Sequence, residues 1–148
     1  MSAPADGYAI VHEVPTVETY RRMRRDSGMS DRSVEAASRG LRGTLFAVQI
    51  VKDGETVGMG RVVGDGGCHF QVVDIAVLPA HRGRGLARRI MSEILGFLDR
   101  EVPATAFVSL FADGRAHELY AQYGFRPTAP GSTGMGWKRA VSGCSTPE

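Results

Sequence analysis

Apolar positions recur with a period of two in several short runs and with a helical period in others, which predicts a chain of mixed strands and helices. Weak alternation predicts a first strand over Tyr8 to Val14. Pro15-Thr16 then opens a helix that extends to about Asp26. Asp31 is a candidate N-cap for a second short helix, which ends at Arg39 before a glycine.

A hairpin and a strongly β-like run are predicted in the middle of the chain. Two alternating segments, Thr44 to Val51 and Thr56 to Val63, flank Lys52-Asp53-Gly54-Glu55, and Asp-Gly is a strong hairpin-turn signal. The run from His69 to Leu78 follows and is rich in Val, Ile and Phe, which favour strands.

Helices and strands are predicted to alternate in the second half. After Pro79, an amphipathic helix is indicated by apolar residues at helical spacing: Leu86, Ile90, Ile94, Phe97 and Leu98. A strand over Thr105 to Phe111 and a short helix through Tyr123, with Gly124 as its C-cap, come next. The last strand candidates are Phe125 to Thr128 and Gly134 to Val141.

This order of elements predicts an α/β or α+β fold in which helices flank a mixed sheet. The strand ending at Leu78 and the strand starting near Thr105 are expected to be parallel, because a helix between them supplies the crossover. A chain of 148 residues suits one core, so residues 1–148 are predicted to form a single domain with flexible ends at 1–6 and 142–148.

The composition is typical of a soluble globular protein. A hydrophobic share of 43% argues against disorder, and no apolar run reaches the roughly 20 residues that a membrane-spanning helix needs. The N-terminal residues carry no apolar stretch of the secretory type, so we expect a cytoplasmic location and no membrane partner. The histidines lack the spacing of metal ligands, so no metal is predicted.

Arginines concentrate in two places, although a net charge of +2 is too small to predict nucleic-acid binding. The first cluster falls in the first predicted helix and comprises Arg21, Arg22, Arg24 and Arg25. A solvated helix face is the favoured interpretation of this cluster, and attraction of an anionic ligand is the alternative. The second cluster falls beside glycines and comprises Arg82, Arg84, Arg88 and Arg89.

The glycine-rich segment from Pro79 to Arg89, between a strand and a helix, is the strongest candidate for a binding site. N–H groups in the first turn of a helix lack internal partners and favour anions, and Gly83 and Gly85 would let phosphate oxygens approach the backbone. The P-loop pattern is absent, and the dinucleotide pattern fails because Arg88 stands where a third small residue is needed. An ordinary glycine turn explains the glycines alone equally well.

This turn and a second segment together resemble one family. Arg82-Gly83-Arg84-Gly85-Leu86-Ala87, preceded by Val73 to Pro79, is similar to the Q/R-x-x-G-x-G/A signature of the GNAT superfamily of acyl-CoA-dependent N-acyltransferases. Ala116 to Phe125 resembles the family's A-x-x-L-Y-x-x-x-G-F segment, and the clear matches cover about residues 56 to 126. The resemblance implies a GNAT-like mixed, mostly antiparallel sheet of six to seven strands with about four helices. It also implies that the protein could form a homodimer.

Acetyl-CoA is the co-substrate that the resemblance implies. Main-chain groups of Ile75, Ala76 and Val77 would pair with the pantetheine arm as an added strand, and an N–H near Val77 would polarise the thioester carbonyl. The diphosphate would be held by main-chain N–H groups of the turn, from Arg82, Gly83, Arg84, Gly85, Leu86 and Ala87. Ala116 and Tyr120 complete the implied contacts. Many family members have Asn where this chain has Asp113, which lacks the amide for the pantetheine arm and is a candidate helix cap.

Two side chains are the main candidates for proton transfer. Tyr120 would be the general acid that protonates the departing thiolate, although a core aromatic is the simpler interpretation of this residue alone. Asp74 is the first candidate for the base that deprotonates the amine, because it is on the strand beside the implied carbonyl site. The alternative for Asp74 is a structural carboxylate that only hydrogen-bonds neighbouring backbone or a basic residue. His69 and Glu118 are weaker candidates.

The expected reaction is direct attack of a primary amine on acetyl-CoA within a ternary complex. Neither Cys68 nor Cys144 has a visible base partner, so a thiol intermediate is not expected. The acceptor, a small molecule or a protein amine, would bind in a groove made by the first two helices and the final strands. Candidates for its lining, which core packing explains more often, are Met23, Met29, Met135 and Trp137.

Two other classes of function stay open. One is a GNAT-like domain that senses acyl-CoA without acceptor chemistry, and Tyr120 argues against it. The other is a basic nucleic-acid-binding module, which the small net charge disfavours.

Overall fold

The computed structural model describes residues 6–139, which form a five-stranded mixed sheet with helices on both faces. Its strands lie side by side in chain order: β1 (Ala9–Val11), β2 (Thr44–Lys52), β3 (Glu55–Gly64), β4 (His69–Val77) and β5 (Phe107–Ser109). Its helices are α1 (Val17–Ser27), α2 (Val34–Leu41), α3 (Leu86–Glu101) and α4 (Ala116–Ala121), and a 3-10 turn spans Pro79–His81. Within 6–139, every helix is too short or too polar to cross a membrane.

Hydroxyl caps start the first two helices. Thr16 Oγ1 accepts the N–H of Thr19 at 3.1 Å, and Ser33 Oγ accepts the N–H of Ala36 at 3.0 Å. The second helix therefore begins after Ser33, and the prediction that Asp31 caps it was wrong. Ser33 is the cap because its Oγ accepts the free N–H of Ala36, three residues later, which is the usual spacing of an N-cap.

The predicted hairpin is confirmed. Lys52 pairs with Glu55, and the two residues between them, Asp53 and Gly54, have φ values of 51° and 79°. Positive φ at both central positions belongs to the type I′ turn, whose twist matches that of the flanking strands.

Each face of the sheet is covered by its own set of helices. On one face, α3 packs closely over β3 because Gly60 has no side chain: a Cβ there would lie 2.6 Å from Ile90 Cγ2. On the other face, α1 and α2 bury Tyr20 and Met23 against Met59. Met23 is fully buried in this core, so the suggestion that it lines an acceptor groove was wrong.

Strand β4 is irregular in two ways that shape the site. Met59 pairs with Ala76 and Arg61 pairs with Val73, so one β3 residue faces two β4 residues, a β-bulge that contains Asp74. β4 also pairs in parallel with β5, as expected, but only over residues 69–71. Beyond that point the two strands separate, which leaves the rest of this edge of β4 without a strand partner among the described residues.

The α/β architecture agrees with the sequence, but the predicted count of six to seven strands is not confirmed. Residues 125–128 and 134–139 form no strand. Pro127 in the first segment lacks the N–H that a strand ladder needs, and Gly134 and Gly136 disfavour a strand in the second. Residues 140 and 141 of the last predicted strand lie outside the described residues, as do Cys144 and the predicted flexible ends apart from Asp6.

Candidate functional site

The turn before α3 is shaped by two glycines in the left-handed region. Gly83 and Gly85 have φ values of 76° and 77°, and Gly85 is the N-cap of α3 without any side-chain capping bond. A Cβ added to either glycine would meet no atom within 4 Å, so the space in front of the turn is open. The helix start is therefore accessible to a ligand.

Six successive main-chain N–H groups at this turn, from Gly83 to Arg88, have no acceptor among residues 6–139. The N–H of Arg82, which the resemblance also implies as a donor to the diphosphate, instead donates to the carbonyl of Pro79 at 3.3 Å. The first bond of the helix ladder is donated by Arg89 to the carbonyl of Gly85, at 3.1 Å. Unpaired amides at a helix N-terminus, where the helix dipole is positive, favour an anion. The turn thus has the donors that a diphosphate requires.

The side chain of Arg82 holds the turn in place. Its Nε donates to the carbonyl of Val77 at 3.0 Å, and its Nη2 donates to the carbonyl of Ser27 at the end of α1, at 2.9 Å. On the other side, the Tyr8 hydroxyl and His81 Nδ1 share a hydrogen bond of 2.8 Å. Arg84 is exposed and its guanidinium has no partner within 6–139. Arg82 therefore positions the turn, while Arg84 is available to a ligand.

The open edge of β4 presents main-chain groups next to this turn. The N–H of Leu78 donates to the carbonyl of Val57 on β3 at 2.9 Å. Because donors alternate sides along a strand, the N–H groups of Ile75 and Val77 point to the opposite edge, where β5 has separated. An extended ligand can bond to β4 there as an added strand.

Tyr120 of α4 is buried in the core on the face of the sheet that α3 covers. It belongs to one core cluster with Val77 and Leu86, the residues at the end of β4 and the start of α3. Its hydroxyl has no hydrogen-bond partner among the described residues. Burial raises the pKa of the Tyr120 phenol above its ordinary value, and the negative charge of Asp113 raises it further. The phenol is therefore protonated at neutral pH and can donate a proton.

The residues after Tyr120 close its helix. The N–H of Phe125 donates to the carbonyl of Tyr120 at 3.3 Å, and Gly124 between them has a φ of 90°. This is the geometry of a helix C-terminal cap that needs glycine. The helix itself starts after Arg115 without a side-chain cap, so the suggestion that the Asp113 side chain caps it was wrong; Asp113 contributes its carbonyl, which accepts the N–H of Ala116 at 3.0 Å.

Asp74 lies at the centre of a buried ion-pair cluster. Its Oδ1 accepts from Nη1 of Arg24 at 2.6 Å, and its Oδ2 accepts from Nη1 of Arg61 at 2.8 Å and from the Tyr20 hydroxyl at 2.9 Å. The side chain of Asp74 is only 7% exposed, and its φ is 60°, which is unusual for a residue other than glycine. Both carboxylate oxygens are thus engaged by α1 and β3.

Sequence reasoning allowed a basic partner for Asp74 but did not identify Arg24 and Arg61. The preferred interpretation of the first arginine cluster as a solvated helix face was wrong for Arg24, which is 3% exposed. Two signals were present: Tyr20 and Arg24 share one helix face at a spacing of four residues, and Arg61 interrupts an otherwise apolar strand. A charged residue inside a buried strand requires a buried partner.

The remaining candidates are not brought to this region. His69 is at the far end of β4, roughly 26 Å from Val77 along the strand, and Glu118 is exposed and paired with Arg115 at 2.9 Å. Met135 is 89% exposed and Trp137 is 81% exposed on the C-terminal segment. Within 6–139, no three His, Cys, Asp or Glu side chains are grouped closely enough to hold a metal ion.

A sheet that opens beside a helix N-terminus with unpaired amides is suited to an extended ligand that carries an anionic group. The sequence model of the acetyltransferase (GNAT) domain matches residues 43–127, more than half of the chain, and the chain belongs to this family.

Several solved structures share the fold, and two of them are compared below. A probable acetyltransferase of unknown function from Staphylococcus aureus is 41% identical with a TM-score of 0.84, over 89% of this chain and 99% of that one. A GNAT-family acetyltransferase from Streptococcus pneumoniae has a TM-score of 0.73 over 90% and 99% of the two chains, and at 22% identity it shows the fold alone.

Curated relatives match over a shorter region. A histone acetyltransferase from Glycine max is 29% identical over 82 residues, which are 55% of this chain and 34% of the relative. The match therefore spans about a third of that longer protein, and its histone activity is a property of that protein.

Proposed function

We propose that this protein transfers the acetyl group of acetyl-CoA to a primary amine by direct attack in a ternary complex. The row of unpaired N–H groups from Gly83 to Arg88, beside the open edge of β4, is the observation that carries the proposal. Those amides would hold the diphosphate, and Arg84 would add positive charge at its rim. Acetyl-CoA supplies the activated thioester. A cytoplasmic location and a homodimer stay predictions from the sequence.

Main-chain groups would orient the thioester. Ile75, Ala76 and Val77 lie where β4 has no partner on one edge, so the pantetheine arm can bond there as a strand would. The N–H of Val77 would donate to the thioester oxygen as negative charge develops on it. Ala116, at the start of α4, would contact the cofactor as the resemblance implies.

Two proton transfers accompany the reaction: the departing thiolate gains a proton from Tyr120, and the attacking amine loses one to solvent water. Tyr120 is proposed as the general acid because the resemblance implies that role for it, and its buried phenol is neutral and can donate a proton. For Asp74 we propose a positioning role in place of the base role expected from the sequence. Both of its oxygens already accept bonds from arginines, and these bonds hold the bulge of β4 against α1.

Acetyl-CoA is expected to stabilise the protein, and a suitable amine is expected to release free thiol from it. At about 100 times its Kd, a ligand of the folded state adds about 2.7 kcal/mol to the free energy of unfolding. For a protein of this size that raises the Tm by roughly 5–10 °C. The measurements are thermal unfolding with acetyl-CoA and thiol detection across a panel of primary amines. Stabilisation without thiol release from any amine would favour the sensor alternative, and no stabilisation would reject the proposed site.

Gly85→Glu is expected to weaken coenzyme A binding at least about 100-fold, or about 2.8 kcal/mol. The side chain would occupy the open space before α3, and its charge would oppose the diphosphate. Titration calorimetry with coenzyme A measures the effect. Gly66→Glu is the matched control, since Gly66 also has positive φ (83°) and open space, but lies in the β3–β4 turn. Both variants should lose roughly 1–2 kcal/mol of stability from backbone strain. Equal coenzyme A affinity in the two variants would count against the turn.

A further inference from the structure

A cavity of about 530 Å³ lies between α2 and the strands β3 and β4, on the face of the sheet that α1 and α2 cover. Its wall includes Val73 and Asp74 of the β4 bulge, directly before the strand edge proposed to hold the thioester. Small-molecule sites commonly measure about 300–1,000 Å³. If the proposed function holds, an acceptor in this cavity would approach the thioester from the face of the sheet that α1 and α2 cover.

The charges around this cavity do not balance. Arg24 and Arg61 share the single carboxylate of Asp74, so the buried cluster carries one net positive charge. Arg32 adds another positive charge to the cavity wall, and Asp74 is the one carboxylate among the lining residues described within 6–139. Buried positive charge that lacks a full complement of counter-charge is costly, so this cavity favours an anion.

Unused donors remain on the arginines that line the cavity. A guanidinium has five N–H donors. Arg61 uses three of its nitrogens in bonds to Thr44 Oγ1, Asp74 Oδ2 and the carbonyl of Gly40, which leaves two N–H groups. Arg32 is exposed and bonds within the protein through Nη1 alone, to Ser30 Oγ at 3.0 Å and to the Asp31 carbonyl at 3.1 Å. Its Nε and Nη2 are available for the paired bonds that carboxylate and phosphate oxygens accept.

We infer that the acceptor is a small primary amine that also carries an oxyanion, a carboxylate or a phosphate, which Arg32 and Arg61 bind in this cavity while the amine faces the β4 bulge. This inference rests on the proposed function for its amine, and on the cavity and its charges for its oxyanion. A large neutral amine or a lysine-like cation gains nothing from the net positive wall.

Matched pairs of acceptors test the inference in the full-length protein. An amino acid is compared with its carboxamide, and an amino-sugar phosphate with the free amino sugar, by thiol release with acetyl-CoA. In at least one pair, the oxyanion member is expected to show a kcat/KM at least about 10-fold higher, which corresponds to about 1.4 kcal/mol. The two pairs distinguish a carboxylate from a phosphate. Equal or higher kcat/KM for the neutral member of both pairs would overturn the inference and leave acetyl transfer standing.

Arg32→Gln separates the cavity from general electrostatics. This change is expected to raise the KM of the preferred oxyanion acceptor about 10-fold with kcat within about twofold, because Arg32 binds the acceptor without touching the reacting atoms. Arg39→Gln is the matched control, because it also removes one positive charge. The exposed side chain of Arg39 on α2 pairs with Glu35 and does not line the cavity. An equal rise in KM for both variants, or for neither, would overturn the assignment.

A binding measurement keeps this inference separate from the proposed function. The oxyanion amines are added to the protein with coenzyme A, and thermal unfolding is followed without turnover. Stabilisation that Arg32→Gln abolishes and Arg39→Gln retains would support the anion site even if no amine releases thiol, in which case acetyl transfer alone fails. Thiol release from neutral amines, with no stabilisation by any oxyanion amine, would reject the anion site alone.

Discussion

Replacing Tyr120 with Phe is expected to lower kcat by about 10²- to 10⁴-fold, the range typical of a lost general acid. The departing thiolate would have to leave without the phenol proton, while the main-chain contacts to acetyl-CoA would be intact. The Kd for acetyl-CoA should therefore change by less than about twofold. Steady-state thiol release gives kcat, and titration calorimetry gives Kd.

Tyr120→Phe isolates the acid role, because the Tyr120 hydroxyl has no hydrogen-bond partner within residues 6–139. Its removal therefore breaks no hydrogen bond there. Tyr123→Phe is the matched control. Tyr123 also packs against the core, and its hydroxyl donates to the carbonyl of Arg88 at 3.0 Å. This control should lose about 1 kcal/mol of stability and keep its kcat.

The pH dependence gives a second check on Tyr120. Because the pKa of Tyr120 is raised above its ordinary value, its protonated form persists beyond the pH at which an exposed tyrosine ionises, about 10. Ionisation of the Tyr120 phenol should therefore not lower kcat of the unmodified protein anywhere below about pH 10. Full kcat in Tyr120→Phe, or a fall in kcat near neutral pH that disappears in that variant, would contradict the assignment.

Replacing Asp74 with Asn is expected to reduce the free energy of unfolding by about 3–5 kcal/mol, since it leaves buried Arg24 and Arg61 without their carboxylate. Asn has nearly the same shape and tolerates the positive φ of this position, so the change removes charge and little else. Urea unfolding measures the loss. It also tests the positioning role, because a carboxylate that acted only as a base would cost turnover and little stability.

Asp53→Asn is the matched control for Asp74→Asn. Asp53 also has positive φ, at 51°, but lies exposed in the β2–β3 turn, so its change should stay within about 0.5 kcal/mol. Combining Arg24→Met with Asp74→Asn should cost less than the sum of the single changes, because the second change removes a charge that the first leaves unpaired. A stable Asp74→Asn variant without turnover would return Asp74 to the base role.

Local signals in the sequence were sufficient for the elements that depend on neighbouring residues. Asp53-Gly54 predicted the hairpin because both residues accept positive φ, and Gly124 predicted the end of α4 for the same reason. The turn with Gly83 and Gly85 was predicted from two glycines before an amphipathic helix. Resemblance then added the family, which residues 43–127 confirm.

The sequence could not predict which residues meet across long distances in the chain. Asp74 contacts Arg24, 50 positions away, and Arg61, 13 positions away. No periodicity encodes such pairs, because they form only when α1 folds over the bulge of β4. The strand predicted over residues 125–128 failed for a local reason instead, because Pro127 lacks the N–H that a strand ladder needs.

By itself, then, the sequence determined the glycine turn, the amphipathic helix α3 and the helix α4 that carries Tyr120. Each of these is specified by residues within a few positions of one another. Only the tertiary structure decided that Asp74 is engaged by two arginines, that β4 and β5 separate, and that a positively charged cavity lies beside the bulge. Those features arise from packing one element against another, where burial makes each unpaired charge and each open strand edge matter energetically.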